Sequence, residues 1–462
     1  MRLPTITALP LFALALVVPG VAEASSLHLT GTAGPASEIY PLYRAASGER
    51  NKVRITFGQK GLTVVDRGVR FITGEKGRVK LCKRRGPRRF FCPYIRYAEV
   101  RLGDRNDSVS FNPSRAGHST PTSDPLDLAE PDFSDSEGAP EATTFIYGGT
   151  GDDTITGSSY TDYIDPGPGR DTVMARDSRD TIFARDDGVR DTLRGEGGID
   201  SVYFIGKRAV AVDLAAGTGG GDQLVGIERA HGTAKADTLL GSDRADALYG
   251  EAGTDTIDGR AGNDLLTADR LFAPASVNHV TGGDGDDVID VLGRPVAPGS
   301  TLDCGAGADR VAAGIDDLLP ATCESAVFVV FDNFENRDFP VFGVPVKSAP
   351  VATDADGPTF EIPCPATNHV DSTGCTGTLT LESPPVAGST AQPTSYGSAG
   401  FDLKPGESAN VKVVLNGAGQ AARAGGSPVA VHLKATLRFP KQPARDPLKA
   451  DFGWQVVLPP GP

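Results

Sequence analysis

The chain has 462 residues, with 57 Gly, 35 Pro, 7% aromatics and a formal net charge of -14. A composition so rich in turn formers and poor in rings favours many short strands over a few thick cores. The acidic excess excludes a general nucleic-acid binder and fits a cation-binding surface or a soluble exported protein.

Arg2 opens a short n-region, Ala8 to Val18 is almost wholly apolar, and Ala22-Glu23-Ala24 is an A-x-A cleavage signal. Residues 1–24 are therefore read as a signal peptide, with the mature, secreted, extracellular chain starting near Ser25. That apolar run is too short for a membrane anchor, and no later stretch is long enough to span a bilayer, so no membrane insertion is expected. The chain ends in Pro-Pro-Gly-Pro, without an anchoring tail. Six Cys fall into local couples, Cys82 with Cys92, Cys304 with Cys323, and Cys364 with Cys375. Three small disulfide loops suit an oxidising compartment. No C-x-x-C or matching His spacing supports a Cys-ligated metal.

Residues 25–113 read as a strand-rich N-terminal cap. Lys52 to Phe57 and Leu62 to Val65 carry β-branched residues of strand type. Around the basic turn Lys83 to Arg89, Cys82 and Cys92 are expected to pin a hairpin. At Gly103-Asp104-Arg105-Asn106-Asp107 a turn pattern first surfaces, so the cap is expected to run directly into the repeat body. Residues 114–141, rich in Pro, Ser, Asp and Glu, read as an acidic flexible loop.

Residues 142–326 are the repeats. Gly148 to Thr156 reads G-G-T-G-D-D-T-I-T, the nine-residue form G-G-x-G-x-D-x-U-x with U apolar, which builds a parallel β-helix whose turns bind Ca²⁺. The sixth-place residues are Asp153, Asp162, Asp171, Asp180, Asp191 and Asp200, then Asp237, Asp246, Asp255 and Asp264, then Asp287 and Asp309. Two residues after each Asp stands an apolar residue, from Ile155 to Val311, which is what a stacked core column needs. Thr often lies between them, as in Thr154, Thr172 and Thr256, and can form an outward ladder. Ca²⁺ takes about six to eight oxygens, more than one turn offers, so two stacked coils are required. With two units per coil, Asp153 should face Asp171, Asp237 should face Asp255, and Asp246 should face Asp264.

The expected metal residues are Gly148, Gly149, Gly151, Asp153, Asp171, Asp237, Asp246, Asp255, Asn263, Asp264, Gly283, Gly285 and Asp287. Arg170, Arg179 and Arg190 directly precede Asp171, Asp180 and Asp191, where turn glycines are partly lost. There the arginines are expected to neutralise the carboxylates and leave the middle turns metal-free.

These units resemble the hemolysin-type, or RTX-type, calcium-binding repeats. The segment from Val210 to Gly217, followed by Asp222 to Glu228 and Gly232, is similar to interrupters between blocks of such repeats. The resemblance covers roughly Gly148 to Val311 and implies an all-β, right-handed parallel β-roll holding Ca²⁺ in its turns. Lost glycines depart from the pattern, as does an N-terminal signal where many family members carry a C-terminal one.

Residues 327–462 alternate in strand fashion and are expected to form an immunoglobulin-like β-sandwich. No H-E-x-x-H, G-x-S-x-G, Walker A or Rossmann pattern occurs, and the chain is read as non-enzymatic. The function expected is calcium ion binding with Ca²⁺-dependent folding and a structural or adhesive role, a cell-surface or matrix component being the candidate partner. Two alternatives stand beside it, a polysaccharide-acting β-helix enzyme and a polyanion-binding module centred on the basic hairpin. Oligomeric state is not legible.

Overall fold

The computed structural model describes residues 25–30, 40–58, 60–69, 73–74, 82–93, 98–112, 144–269, 276–291, 300–313, 318–319, 322–323, 325–329, 343–347, 350, 352–363, 375–384, 392–404, 407–425, 429–438 and 449–458. The expected signal peptide, the acidic stretch 114–141 and Cys364 lie outside the described residues. Cys82–Cys92 and Cys304–Cys323 are disulfide-bonded, as expected.

Each nine-residue unit forms one short strand and one turn. In Thr154–Thr156 only the middle residue, Ile155, points inward, because neighbouring side chains of a strand face opposite ways. Successive units alternate between two sheets of 15 strands each. One sheet includes Thr144–Gly149, Asp162–Asp165, Thr181–Arg185 and Ser201–Ile205, and the other Thr154–Thr156, Thr172–Asp177 and Thr192–Gly197. Thr144–Gly149 pairs in parallel with Asp162–Asp165, and Thr154–Thr156 with Thr172–Asp177, both at the expected offset of two units.

That register stacks the apolar places. On the first sheet Val100, Ile146, Ile164, Ile182, Val202, Ala230, Leu248, Leu266, Ile289 and Val311 follow one another rung by rung. All are fully buried. On the second, Val53, Val109, Ile155, Val173, Leu193 and Leu224 do the same. Burying each aliphatic side chain contributes about 1.5–3 kcal/mol, realised only against the coils above and below. The expected Thr ladder is present, with Thr154, Thr172 and Thr192 in register.

The cap is continuous with the roll. Ala98–Gly103 and Ser108–Asn112 form a coil directly beneath Thr144–Gly149 and Thr154–Thr156. Tyr40–Arg44 and Lys52–Gly58 add the next rungs, and each then pairs with an antiparallel strand, Ser26–Thr30 on the first sheet and Gly61–Asp66 on the second. At the other end the first sheet continues through Ser325–Val329 to an antiparallel strand, Gly343–Lys347, beyond the point where the sequence placed the sandwich. The C-terminal part has an antiparallel sheet built on Cys375–Glu382, Ser395–Leu403, Val429–Arg438 and Lys449–Leu458, and a three-stranded one through Pro358–Pro363. Phe360, Leu379, Leu381, Val431 and Leu433 are buried there.

The two sheets differ at the interrupter. On the first, Ser201–Ile205 pairs directly with Arg229–His231. On the second, Ala211–Asp213 and Thr218–Gly219 are inserted as antiparallel strands between Asp222–Val225 and Thr238–Leu240. The Phe204 ring packs beneath this hairpin, and a Cβ on Gly219 would lie 2.7 Å from it.

Ile164→Ala, mid-column and fully buried, is expected to cost roughly 2–5 kcal/mol. Urea unfolding measures it, and an unchanged midpoint would mean that the column is not the core.

Candidate metal centre

Each turn has six places, with the Asp last. Gly148, Gly149, Gly151, Asp153 and Asp171 lie along one edge of the roll, followed by Asp237 and Asp255. Asp246, Asn263, Asp264, Gly283, Gly285 and Asp287 lie along the other. The three expected pairs are adjacent. The Asp153 N–H donates to Asp171 Oδ1 (2.7 Å), Asp237 N–H to Asp255 Oδ1 (2.8 Å), and Asp246 N–H to Asp264 Oδ1 (2.8 Å).

These bonds belong to longer ladders. On the first edge the rungs run Asn51, Asp107, Asp153, Asp171, Asp191 and Asp222. On the second they run Thr144, Asp162, Asp180, Asp200 and Glu228, with the Thr144 hydroxyl donating to Asp162. Both ladders stop at the interrupter. They restart as Val210, Asp237, Asp255 and Asn278 on one edge, and as Asp246, Asp264, Asp287 and Asp309 on the other.

Oδ1 is thus used by the protein, and Oδ2 divides the turns into two kinds. In Asp107, Asp153, Asp171, Asp180, Asp200, Asp255, Asp264 and Asp287, Oδ2 is buried with no hydrogen-bond partner. A buried, unpartnered carboxylate oxygen costs several kcal/mol unless a proton or a cation answers it. In Asp162, Asp237 and Asp246 it is bonded within its own turn. Ser158 N–H donates to Asp162 Oδ2 (2.6 Å), Thr233 N–H to Asp237 Oδ2 (2.5 Å), and Ser242 N–H to Asp246 Oδ2 (2.6 Å). All three carry Ser or Thr at the second place, where the full repeat has Gly. That residue is the signal in the sequence that separates the two kinds. Asp237 and Asp246, expected as ligands, are therefore already satisfied by protein donors.

The expected neutralisation by arginine is not found. Among the described residues Arg170, Arg179 and Arg190 form no ion pair with Asp171, Asp180 or Asp191, and Arg170 and Arg190 are exposed. Arginine acts elsewhere. Arg185 pairs with Asp165 (2.5 Å), and Arg260 pairs with Asp213 (2.8 Å) while donating to the Gly241 carbonyl (2.8 Å).

The glycines leave room for oxygen. At the first place, a Cβ on Gly148 would lie 2.7 Å from Asp153 Oδ2, and one on Gly282 2.5 Å from Asp287 Oδ2. At the fourth, Gly285 has φ +135° and its Cβ would lie 1.8 Å from the Gly262 carbonyl oxygen. Where stacked glycines are kept, the fifth place adds oxygens in Asp152, Asn263 and Asp286. Asp152 Oδ1 accepts from Arg170 N–H (3.0 Å), Asn263 Oδ1 from Asp286 N–H (3.0 Å) and Asp286 Oδ1 from Ala308 N–H (2.8 Å). Among the described residues no three His, Cys, Asp or Glu side chains converge into a metal group. The oxygens nearest the turn glycines are carboxylates and backbone carbonyls, hard donors of the kind Ca²⁺ takes and a thiophilic metal does not.

A model of the RTX calcium-binding nonapeptide repeat matches residues 144–173, 231–266 and 267–292, in four copies. The chain carries RTX-type calcium-binding repeats. Comparison with curated proteins found no match. The matched RTX units include Asp153, Asp171, Asp255, Asp264 and Asp287, all with buried, unpartnered Oδ2. They leave out Asp107, Asp180, Asp191, Asp200 and Asp309, which occupy the same ladders.

Burial raises Asp153 and Asp255 to about 7, and Asp171, Asp200 and Asp264 to about 8. A carboxyl raised in this way keeps its proton to higher pH when folded than when unfolded. The metal-free fold is stabilised at low pH, and that stability is lost as pH rises from about 4 through about 8. The melting temperature of chelator-treated protein is expected to fall between pH 5 and pH 9, and saturating Ca²⁺ should remove the fall by taking the proton's place. A chelated melting temperature that rises over this interval would contradict the assignment. Gly285→Ala is expected to destabilise by more than about 1–3 kcal/mol through its left-handed backbone and the carbonyl contact, as read by thermal unfolding.

Proposed function

We propose that this is a secreted structural protein whose RTX repeats take up Ca²⁺ between stacked glycine-type turns and become ordered by doing so. One observation carries the reading, the row of buried Asp Oδ2 atoms left unpartnered in the stacked turns. Asp153 with Asp171 on one edge, and Asp264 with Asp287 on the other, combine stacked glycines with fifth-place oxygens. These residues would hold the ions, each supplying a deprotonated carboxylate while the turn backbone supplies carbonyls. Bound Ca²⁺ would offset the repulsion between stacked carboxylates, so binding free energy becomes folding free energy. The turns closed by Ser158, Thr233 and Ser242 need no ion and would hold their shape without one. Two disulfides among the described residues fit an extracellular setting.

Calorimetric titration of chelator-stripped protein, with circular dichroism alongside, tests this. Uptake of a few Ca²⁺ ions with a gain of β-signal is expected, with fewer ions and weaker folding after Asp153→Asn or Asp264→Asn. A chelated spectrum already fully folded and unchanged by Ca²⁺ would defeat the proposal.

A further inference from the structure

We infer a further Ca²⁺ site, outside the matched repeats, between the turn 103–107 and the turn 148–153. It rests on the calcium reading above and extends it to the coil that joins cap to roll. Asp107 and Asp153 are 46 residues apart in sequence yet occupy successive rungs, the Asp107 N–H donating to Asp153 Oδ1 (2.7 Å). Around them the turns are stacked as closely as repeats two units apart. Gly103 is in register with Gly149, Thr150 N–H donates to the Gly103 carbonyl (2.9 Å), and Asn106 Nδ2 donates to Asp152 Oδ2 (3.2 Å).

Two features mark this as a cation site and not only a stacked turn. Asp107 is 3% exposed and Asp153 1%, and each has an Oδ2 with no partner. A Cβ on Gly149 would lie 1.9 Å from the Gly103 carbonyl oxygen, nearly the 1.8 Å that separates a Cβ on Gly167 from the Gly149 oxygen one rung above. The glycine-on-carbonyl stack of the matched turns thus continues one coil further. Asp104, Asp107, Asp152 and Asp153 outweigh the exposed cations of the adjoining turns, Arg105 and, one rung above, Arg170. Asp104 is committed to Ser47 Oγ (2.8 Å) and Gly48 N–H (2.6 Å), so it adds charge and not a ligand.

The next rung down ends the column. Asn51 is neutral, and its Oδ1 accepts from Tyr43 Oη (2.9 Å) and Ser25 Oγ (3.1 Å). One additional ion is therefore assigned, and it clasps the cap coil to the first matched repeat.

Native mass spectrometry of the mature protein with added CaCl₂ counts the ions, and hydrogen exchange at residues 108–112 and 288–290 locates them. Asp107→Asn keeps the shape and the Oδ1 acceptor but removes the charge. It should bind one ion fewer and lose Ca²⁺-induced protection at 108–112, with 288–290 unaffected. Asp152→Asn, an exposed change that leaves the core alone, should weaken the same protection. Asp287→Asn should lower the ion count while sparing 108–112. Full ion count and full protection in Asp107→Asn would overturn the inference while the repeat sites stood. No loss of ions in Asp287→Asn either would remove the calcium reading itself.

Discussion

The roll depends on a carboxylate placed where water cannot reach it. Most coils turn at an Asp whose Oδ1 takes the amide of the coil before, which fixes the rise and phase of the stack, with Glu228 and Asn278 taking its place at two turns. The same burial leaves Oδ2 without a protein donor in eight of these residues. The group that sets the architecture is thus also the group that asks for a cation. Core column, turn glycines and ion preference all follow from that one position.

The second place decides whether that demand is met within the turn. Where Ser or Thr takes the second place, its own N–H answers the carboxylate and the turn closes on itself. Where a larger side chain takes it, the backbone keeps the left-handed form at a cost of about 1–2 kcal/mol, as at Arg176, Glu251 and Arg260. Each of these side chains then reaches a neighbour. Arg176 donates to the Phe111 carbonyl, Glu251 meets His231, and Arg260 grips Asp213. His231 is stacked between Tyr203 and Tyr249, so this contact also braces a row of rings across the interrupter.

Much of this was legible in the sequence because the repeat is periodic. A fixed count between Asp and apolar residue is enough to stack one column and pair the coils two units apart. The continuity of cap and roll was announced at Gly103 to Asp107. The rest depended on contacts that no count reveals. The antiparallel strands within the interrupter depend on the space beneath Phe204. The role given to Arg170, Arg179 and Arg190 rested on adjacency in sequence, and a residue next to an inward Asp on an extended chain faces outward. The difference between Asp237 and Asp255 lies in a second-place Thr against a Glu, which the glycine pattern alone does not separate.

The interrupter has a consequence for how the array fills. In a linear stack each coil communicates only with its neighbours. The hydrogen-bond ladders end at Asp222 and Glu228 and begin again at Asp237 and Asp246, so no carboxylate rung crosses the break. Through its first sheet the stack still runs on, from Val202 through Ala230 to Leu248, so whatever the turns of one run gain reaches the other through that sheet and not along the rows of carboxylates.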